Sequence, residues 1–387
     1  MPFEHHEINL EILRKRAHNG RWAVSPNDVI PLTAADPDFP VAPEIIAGIN
    51  DYLQHGYLSY GPFSGLEEFK NSIANHYNLR KGCSFSSRDV LAVNSAASGM
   101  YLIAKYFLQP GDEAIIFDPV DFLFKKTVES VGAVAKLCSV NTITGEIDFE
   151  NLKSLITPKT KLISICNPHN PVGKIYGVDE LKKIASISLE KNIWVMSDEI
   201  WSDIIYDEKK YFSYASVSEE AAQKSFTVYG FSKTYGMAGL RIGAVICKNE
   251  NVMQDFIEQS NFNSTIEGVS TLSQIAASVA LDKAWYWAEN FIQHLERNRN
   301  LAFDLINQSK ILEAQKPEST YVIFPKIKNG LNSDMFVEQC LTKGKVAIVP
   351  GSARWFGPGA EGHVRICFST SKEILEEGIS RILKSFS

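Results

Sequence analysis

Short, unbroken apolar runs separated by helical patterns fill the middle of the chain. The runs occupy Glu113–Phe117, Lys161–Cys166, Asn192–Met196, Ser225–Tyr229 and Gly243–Cys247. They lack polar alternation, which is the pattern of strands covered on both faces in a mainly parallel sheet. Between them, Ala96–Leu108, Phe122–Val131, Val178–Glu190 and Val252–Gln259 carry a helical spacing of apolar positions. Strands and helices in alternation predict an α/β layered domain. The ends read differently. Pro31–Pro40 is an extended segment punctuated by prolines. Two long helical stretches, Val269–Leu281 and Ala284–Asn307, lead into strands at Thr320–Phe324, Val346–Val349 and His363–Phe368. The predicted division is a large domain over 49–284 and a smaller one assembled from 1–48 and 285–387.

Composition changes this picture little. A chain of 387 residues is long for one simple core, in keeping with two domains. Hydrophobic residues at 45% and charged residues at 22% suit an ordinary globular enzyme. The net charge is −6 and basic residues form no long runs, so no nucleic-acid surface is expected. No apolar run reaches the ~18 residues of a membrane span. Met1–Leu10 carries acids and histidines in place of an apolar signal core, so the cytoplasm is the expected compartment. The six cysteines include no Cys-x-x-Cys pair. Cys138, Cys166, Cys247 and Cys367 lie in or beside apolar runs and read as buried reduced thiols. No metal-ligand spacing is present, and the adjacent His5 and His6 read as an inert terminal pair.

Four segments carry candidate chemistry. In Val93–Met100, small residues open a helix after a strand. Backbone N–H groups and the helix dipole there suit a phosphate, with a plain N-cap by Asn94 or Ser95 as the competing reading. Cys166–Gly173 follows a strand at the sheet edge where ligands bind. Its two Asn-Pro pairs fix an extended loop, and a plain turn is the alternative. Ser197–Asp203 puts Asp198 at the mouth of the sheet, as a functional carboxylate or as a helix N-cap. Finally, Lys233 follows a buried strand among small residues. Desolvation lowers the proton affinity of such an amine and frees it for Schiff-base chemistry. Ser232 and Arg241 flank it with a hydroxyl and a fixed positive charge, which suit a phosphate. Arg365 sits inside an apolar strand, where a guanidinium needs an anion: a bound carboxylate or a structural ion pair.

Ser232-Lys233-Thr234 followed by Gly239-Leu240-Arg241-Ile242-Gly243 resembles the cofactor-attachment segment of fold-type I pyridoxal 5′-phosphate (PLP) enzymes of the class I/II aminotransferase family. Asn167–Gly173 is similar to that family's Asn-Pro-x-Asn-Pro-x-Gly motif. The resemblance covers nearly the whole chain. It implies a mostly parallel seven-stranded sheet flanked by helices, plus a smaller α+β domain. It implies PLP held on Lys233, with Ser95, Ala96, Ala97, Ser232 and Arg241 around its phosphate. Ala97 departs from a family position that often carries a hydroxyl. Asn170 would meet the ring 3′-oxygen and Asp198 the ring nitrogen. Trp201 stands where many relatives carry tyrosine. An indole N–H only donates, so Trp201 reads either as a contact to the cofactor or as a packing aromatic. Tyr60, in Tyr57–Gly65, matches a tyrosine that reaches the neighbouring subunit's phosphate, which implies a homodimer with shared active sites; a loop tyrosine is the alternative. Arg365 matches the arginine for the substrate α-carboxylate, and backbone at Ala35 lines the substrate pocket. The family's ring-stacking aromatic falls on Asp121, so Phe122 would serve through a small loop shift.

The implied reaction moves the amino group of an L-amino acid to a 2-oxo acid, with Lys233 as general base. Arg21-Trp22, Ala34–Phe39 and Ser197–Ile200 are also similar to the cystathionine β-lyase-like C–S lyases, so β-elimination is the rival reaction. Asn261–Gly268 is a candidate border of the substrate side-chain pocket.

Overall fold

The computed structural model describes residues 3–387. A seven-stranded sheet forms its centre, in the spatial order Val90–Val93, Gly243–Ile246, Ser225–Gly230, Trp194–Asp198, Thr160–Cys166, Glu113–Asp118, Val134–Ser139. Six strands run one way, and Gly243–Ile246 runs against both of its neighbours. The sheet is therefore mixed but mostly parallel. Its interior strands are apolar because both faces are covered, as in Ser225–Gly230 and Gly243–Ile246, and the edge strand Val90–Val93 is buried throughout as well.

The elements marked from the sequence fall within about two residues of expectation, whereas the helices Pro43–Gln54, Glu67–Arg80, Ser333–Thr342 and Lys372–Lys384 were not marked. The helix Val178–Glu190 matches it at both ends. Asn192–Met196 moves to Trp194–Asp198, since Asn192 takes a left-handed turn (φ 56°) after that helix. The strand Val134–Ser139 was not foreseen. It lies at the sheet's edge with one residue of six buried, so its apolar pattern is diluted by Lys136 and Ser139.

A second, antiparallel sheet is built from Leu312–Glu313, Val322–Ile323, Lys326–Ile327, Val349–Gly351 and His363–Cys367. Near it, Ile30–Pro31 pairs in parallel with Val346–Ala347, which brings the N-terminal extended segment to the C-terminal strands. The parallel strands of the large sheet end at Cys166, Asp198 and Gly230, and their following loops open toward this second sheet.

One close approach fixes the floor between them. A Cβ at Gly243 would stand 2.7 Å from the carbonyl oxygen of Tyr229 and 3.0 Å from the backbone nitrogen of Ala96. Only glycine lets this strand pass beneath the first turn of the helix Ala96–Phe107.

Candidate active site

A cavity of about 570 Å³ lies between the two sheets. Twelve residues singled out from the sequence line it: Ala35, Ser95, Ala96, Ala97, Phe122, Asn170, Asp198, Trp201, Ser232, Lys233, Arg241 and Arg365. Tyr60 does not. It is 92% exposed, beside the exposed Tyr57, Leu58 and Phe63. Asn261–Gly268 also lies outside the cavity lining, and Phe262 is packed into the core instead.

Lys233 follows the strand Ser225–Gly230 and donates from Nζ to the Ala35 carbonyl at 2.7 Å. Its ammonium lies 5.3 Å from the centre of the Trp201 ring. Burial pulls its proton affinity below the ordinary lysine value. The Asp36 carboxylate opposes that shift and the Arg365 guanidinium adds to it. The neighbouring Thr234 is tied through its hydroxyl to Asp203 (3.1 Å), itself held by Lys81 and His76 (each 2.8 Å) and by the Tyr229 hydroxyl (2.6 Å). The lysine's backbone is thereby anchored to a buried charged network.

Asp198 is the last residue of its strand and is buried. Its Oδ1 accepts one backbone N–H, from Ile200 at 3.1 Å. It caps no helix; a turn follows. Burial pushes its carboxyl up to about 7, with Asp121 and Glu199 adding to the shift and the Ile200 N–H and Lys233 opposing it. A carboxyl in this state is poised to receive a cation.

Asn170 and Arg365 meet across the cavity. Arg365 Nη1 donates to Asn170 Oδ1 at 3.4 Å and Nη2 to the Thr33 carbonyl at 3.1 Å, while the buried Nε has no partner. Among the described residues no carboxylate lies at salt-bridge distance from it, and burial lowers its proton affinity. Asn170 Nδ2 donates to Asp121 Oδ2 at 3.2 Å. The loop that carries Asn170 is clamped by His169. The Pro119 carbonyl only accepts, so His169 Nε2 bears the proton across 2.7 Å, and Nδ1 accepts from the Tyr176 hydroxyl at 3.0 Å. Burial depresses this imidazole to about 4 and keeps it neutral.

Ser95 is the N-cap of Ala96–Phe107, its hydroxyl accepting from the Ser98 N–H at 3.1 Å. The capping role and the open first turn coexist at one helix end. Arg241 adopts a left-handed conformation (φ 50°), lines the same cavity, and donates from Nη1 to the Ala238 carbonyl at 3.3 Å. Trp201 is buried edge-on to Tyr321, 4.7 Å between ring centres. Asp121 caps the helix Phe122–Ser130 through the Leu123 N–H, and Phe122 turns its ring edge-on to Trp355 (5.7 Å, 84°).

Sequence reasoning missed Tyr321, whose hydroxyl also donates to the Ala35 carbonyl (3.1 Å), and the wall formed by Ile348, Val349, Pro350, Trp355 and Phe356. These residues lie on short strands and loops whose pairing is non-local, so no local pattern marks them. Arg21 and Trp22 prove to be structural. Arg21 forms a fully buried ion pair with Asp38 (2.7 Å) and donates to the Ala34 and Ser369 carbonyls, and Trp22 Nε1 donates to Asp38 (2.7 Å). Together they pin the segment that presents the Ala35 carbonyl.

A family model for class I and II aminotransferases matches residues 27–382. An aspartate aminotransferase of Pyrococcus abyssi is 33% identical over 94% of this chain and 92% of its own length. Among solved structures, an aromatic aminotransferase of Pyrococcus horikoshii is 30% identical, with TM-score 0.86 over 93% of this chain and 96% of that one. A PLP-bound aminotransferase candidate from Clostridium difficile 630 is 28% identical, with TM-score 0.89 over 97% and 96%.

The raised Asp198 carboxyl predicts a pH signature in the ligand-free protein. A group whose folded value exceeds its unfolded value stabilises fully below the unfolded one, and that contribution fades as pH rises through the folded one. Stability should therefore decline between pH 3.8 and about 7 through this group, by on the order of 4 kcal/mol at ~1.4 kcal/mol per unit. Denaturant unfolding across this range should show Asp198→Asn gaining on the wild type as pH rises. A difference independent of pH would contradict the environment assigned to Asp198.

Proposed function

Because this chain belongs to the class I and II aminotransferase family, we propose that the cavity between its sheets is the active site and that Lys233 carries the reaction. Its activity is PLP-dependent transfer of an amino group from an amino acid to a 2-oxo acid. The observation that carries the site assignment is one shared cavity. It holds a lysine amine of lowered proton affinity, a buried carboxylate with one N–H partner, and an arginine whose Nε is buried and unpaired.

These residues fit the cofactor. Asp198 suits a protonated pyridine nitrogen. The first turn of Ala96–Phe107, with Ser232 and Arg241, suits a phosphate, and Lys233 suits an aldehyde. Asn170, Trp201 and Phe122 line the same cavity and would flank the ring. When bound, PLP supplies the electron sink that lets an amino acid lose its Cα proton. The chain's own groups do the rest. Arg365 takes the substrate α-carboxylate, its free Nε completing a bidentate grip. Asn170 fixes the guanidinium from the other side. Lys233 takes the Cα proton and returns it as general acid. The Ala35 carbonyl, held by the segment that Arg21 and Asp38 pin and by the Tyr321 hydroxyl, keeps the amine on its course over the Trp201 ring. The rival β-elimination has less support, since the relatives at 30–33% identity carry aminotransferase names.

Residues 49–284 form the large domain in this reading, and 1–48 with 285–387 the smaller one. The two sheets support it, lying wholly within 90–246 and 312–367. The helix Pro43–Gln54 crosses the first boundary. The exposed Tyr57, Leu58, Tyr60 and Phe63 support a homodimer that buries this patch and delivers Tyr60 to the partner's phosphate site. Among the described residues no helix is long and apolar enough to cross a membrane, and all six cysteines are free, in keeping with a reducing cytoplasm.

Lys233→Ala should lose turnover by on the order of 10³-fold, together with the visible absorption of lysine-linked cofactor, while circular dichroism stays unchanged. An active, normally coloured variant would overturn the site. The shared-site dimer has its own test. Mixing Tyr60→Ala and Lys233→Ala chains should restore activity above either parent, since one site of each mixed pair is intact. Activity fixed at the mean of the parents would contradict it.

A further inference from the structure

We propose that the amino-acid substrate carries a large apolar side chain, aromatic or branched aliphatic, and that dicarboxylic amino acids are disfavoured. This rests on the aminotransferase reading and adds the substrate class to it.

The cations come first. Three line the cavity: Lys233, Arg241 and Arg365. Each has a task in the reaction, at the aldehyde, the phosphate and the α-carboxylate. No fourth cation among the lining residues remains for a distal carboxylate. Arg354 is nearest along the chain, but it stacks on the Trp355 ring (5.1 Å) and lines a separate cavity of about 220 Å³, with Phe122 and Phe356 bordering both spaces. The exposed segment Tyr57–Phe63, which the dimer reading assigns to the partner's site, contains no basic residue.

The wall where the side chain projects is apolar. Arg365 lies over the Phe356 ring at 5.0 Å and pairs in register with Val349 on the adjacent strand. A substrate anchored on Arg365 therefore extends along Phe356, Val349, Ile348, Trp355 and Phe122. This wall is preformed. The Val120 N–H donates to the Phe356 carbonyl (2.8 Å) and the Phe122 N–H to the Trp355 carbonyl (2.9 Å), stitching the two loops together. Asp121 adds the opposing charge. Its carboxylate lines the cavity and is held on Asn170, the residue that touches Arg365. A second substrate carboxylate would meet an apolar wall and a like charge without a counter-ion, whereas an apolar side chain gains by burial there.

The test uses the PLP-loaded enzyme in single turnovers. Each amino acid is added alone, and conversion of the cofactor's absorption gives the second-order rate constant. L-Phenylalanine and L-leucine should exceed L-aspartate and L-glutamate by at least about tenfold. Trp355→Ala should cost L-phenylalanine about tenfold more than it costs L-alanine. In parallel, quenching of protein fluorescence measures binding of two carboxylates that cannot react. 3-Phenylpropionate should bind more tightly than succinate. Faster conversion with aspartate or glutamate, or tighter binding of succinate, overturns the proposal. If no amino acid changes the absorption, the aminotransferase reading fails, and the binding comparison still decides the apolar pocket.

Discussion

A carboxylate buried with a single backbone partner is an electrostatic debt, and Asp198 is that group here. Its position at the end of a strand flanked by Thr160–Cys166 and Ser225–Gly230 leaves it little freedom to turn toward solvent. Burial and the nearby Asp121 and Glu199 raise its carboxyl to about 7. A cation arriving in the cavity relieves that cost, so binding energy is available to hold a protonated ring in one orientation. The same enclosure that disfavours charge on Asp198 lowers the proton affinity of Lys233. Burial beside one cavity thus raises the carboxyl of Asp198 and lowers the proton affinity of the Lys233 amine.

The frame around the cavity explains how both groups hold their places. Lys233 follows a buried strand and is tied through Thr234 to the Asp203 network. Its amine meets the Ala35 carbonyl, which belongs to the N-terminal extended segment. That segment is secured by the buried Arg21–Asp38 pair and by the pairing of Ile30–Pro31 with Val346–Ala347. Opposite, Arg365 sits in the centre of the smaller sheet and touches Asn170, whose loop is clamped by His169. Residues from both chain ends and from the middle therefore converge on one volume. A buried ion pair such as Arg21–Asp38 is weak evidence for stability; its geometric effect here is to set the height of one carbonyl.

Much of this arrangement was legible in the sequence. The interior strands announce themselves because burial on both faces demands continuous apolar runs, as in Ser225–Gly230. The edge strand Val134–Ser139 escaped because half its surface faces solvent and its pattern breaks. Lys233 and Arg365 stood out as charged groups among small or apolar neighbours, Asn170 through two Asn-Pro pairs after a strand and Asp198 as a carboxylate at a strand end. Tyr321, Trp355 and Phe356 did not, since an aromatic in an apolar neighbourhood looks the same whether it fills a core or lines a pocket. Asp121 was noticed as a departure from the family pattern, but its bond to Asn170 depends on a contact spanning 49 positions that no local reading supplies. Tyr60 lies exposed and outside the cavity, and its role rests on the homodimer proposed above.

The most direct measurement is chemical. Borohydride reduction of the PLP-loaded enzyme fixes the cofactor to whichever amine holds it, and peptide mapping by mass spectrometry identifies that residue. The expected product is a single phosphopyridoxyl adduct on Lys233, with nitrogen-15 resonance of the bound ring showing a protonated pyridine that Asp198→Asn abolishes. An adduct on another lysine, or a ring nitrogen indifferent to position 198, would contradict the pairing of these two residues across one ring.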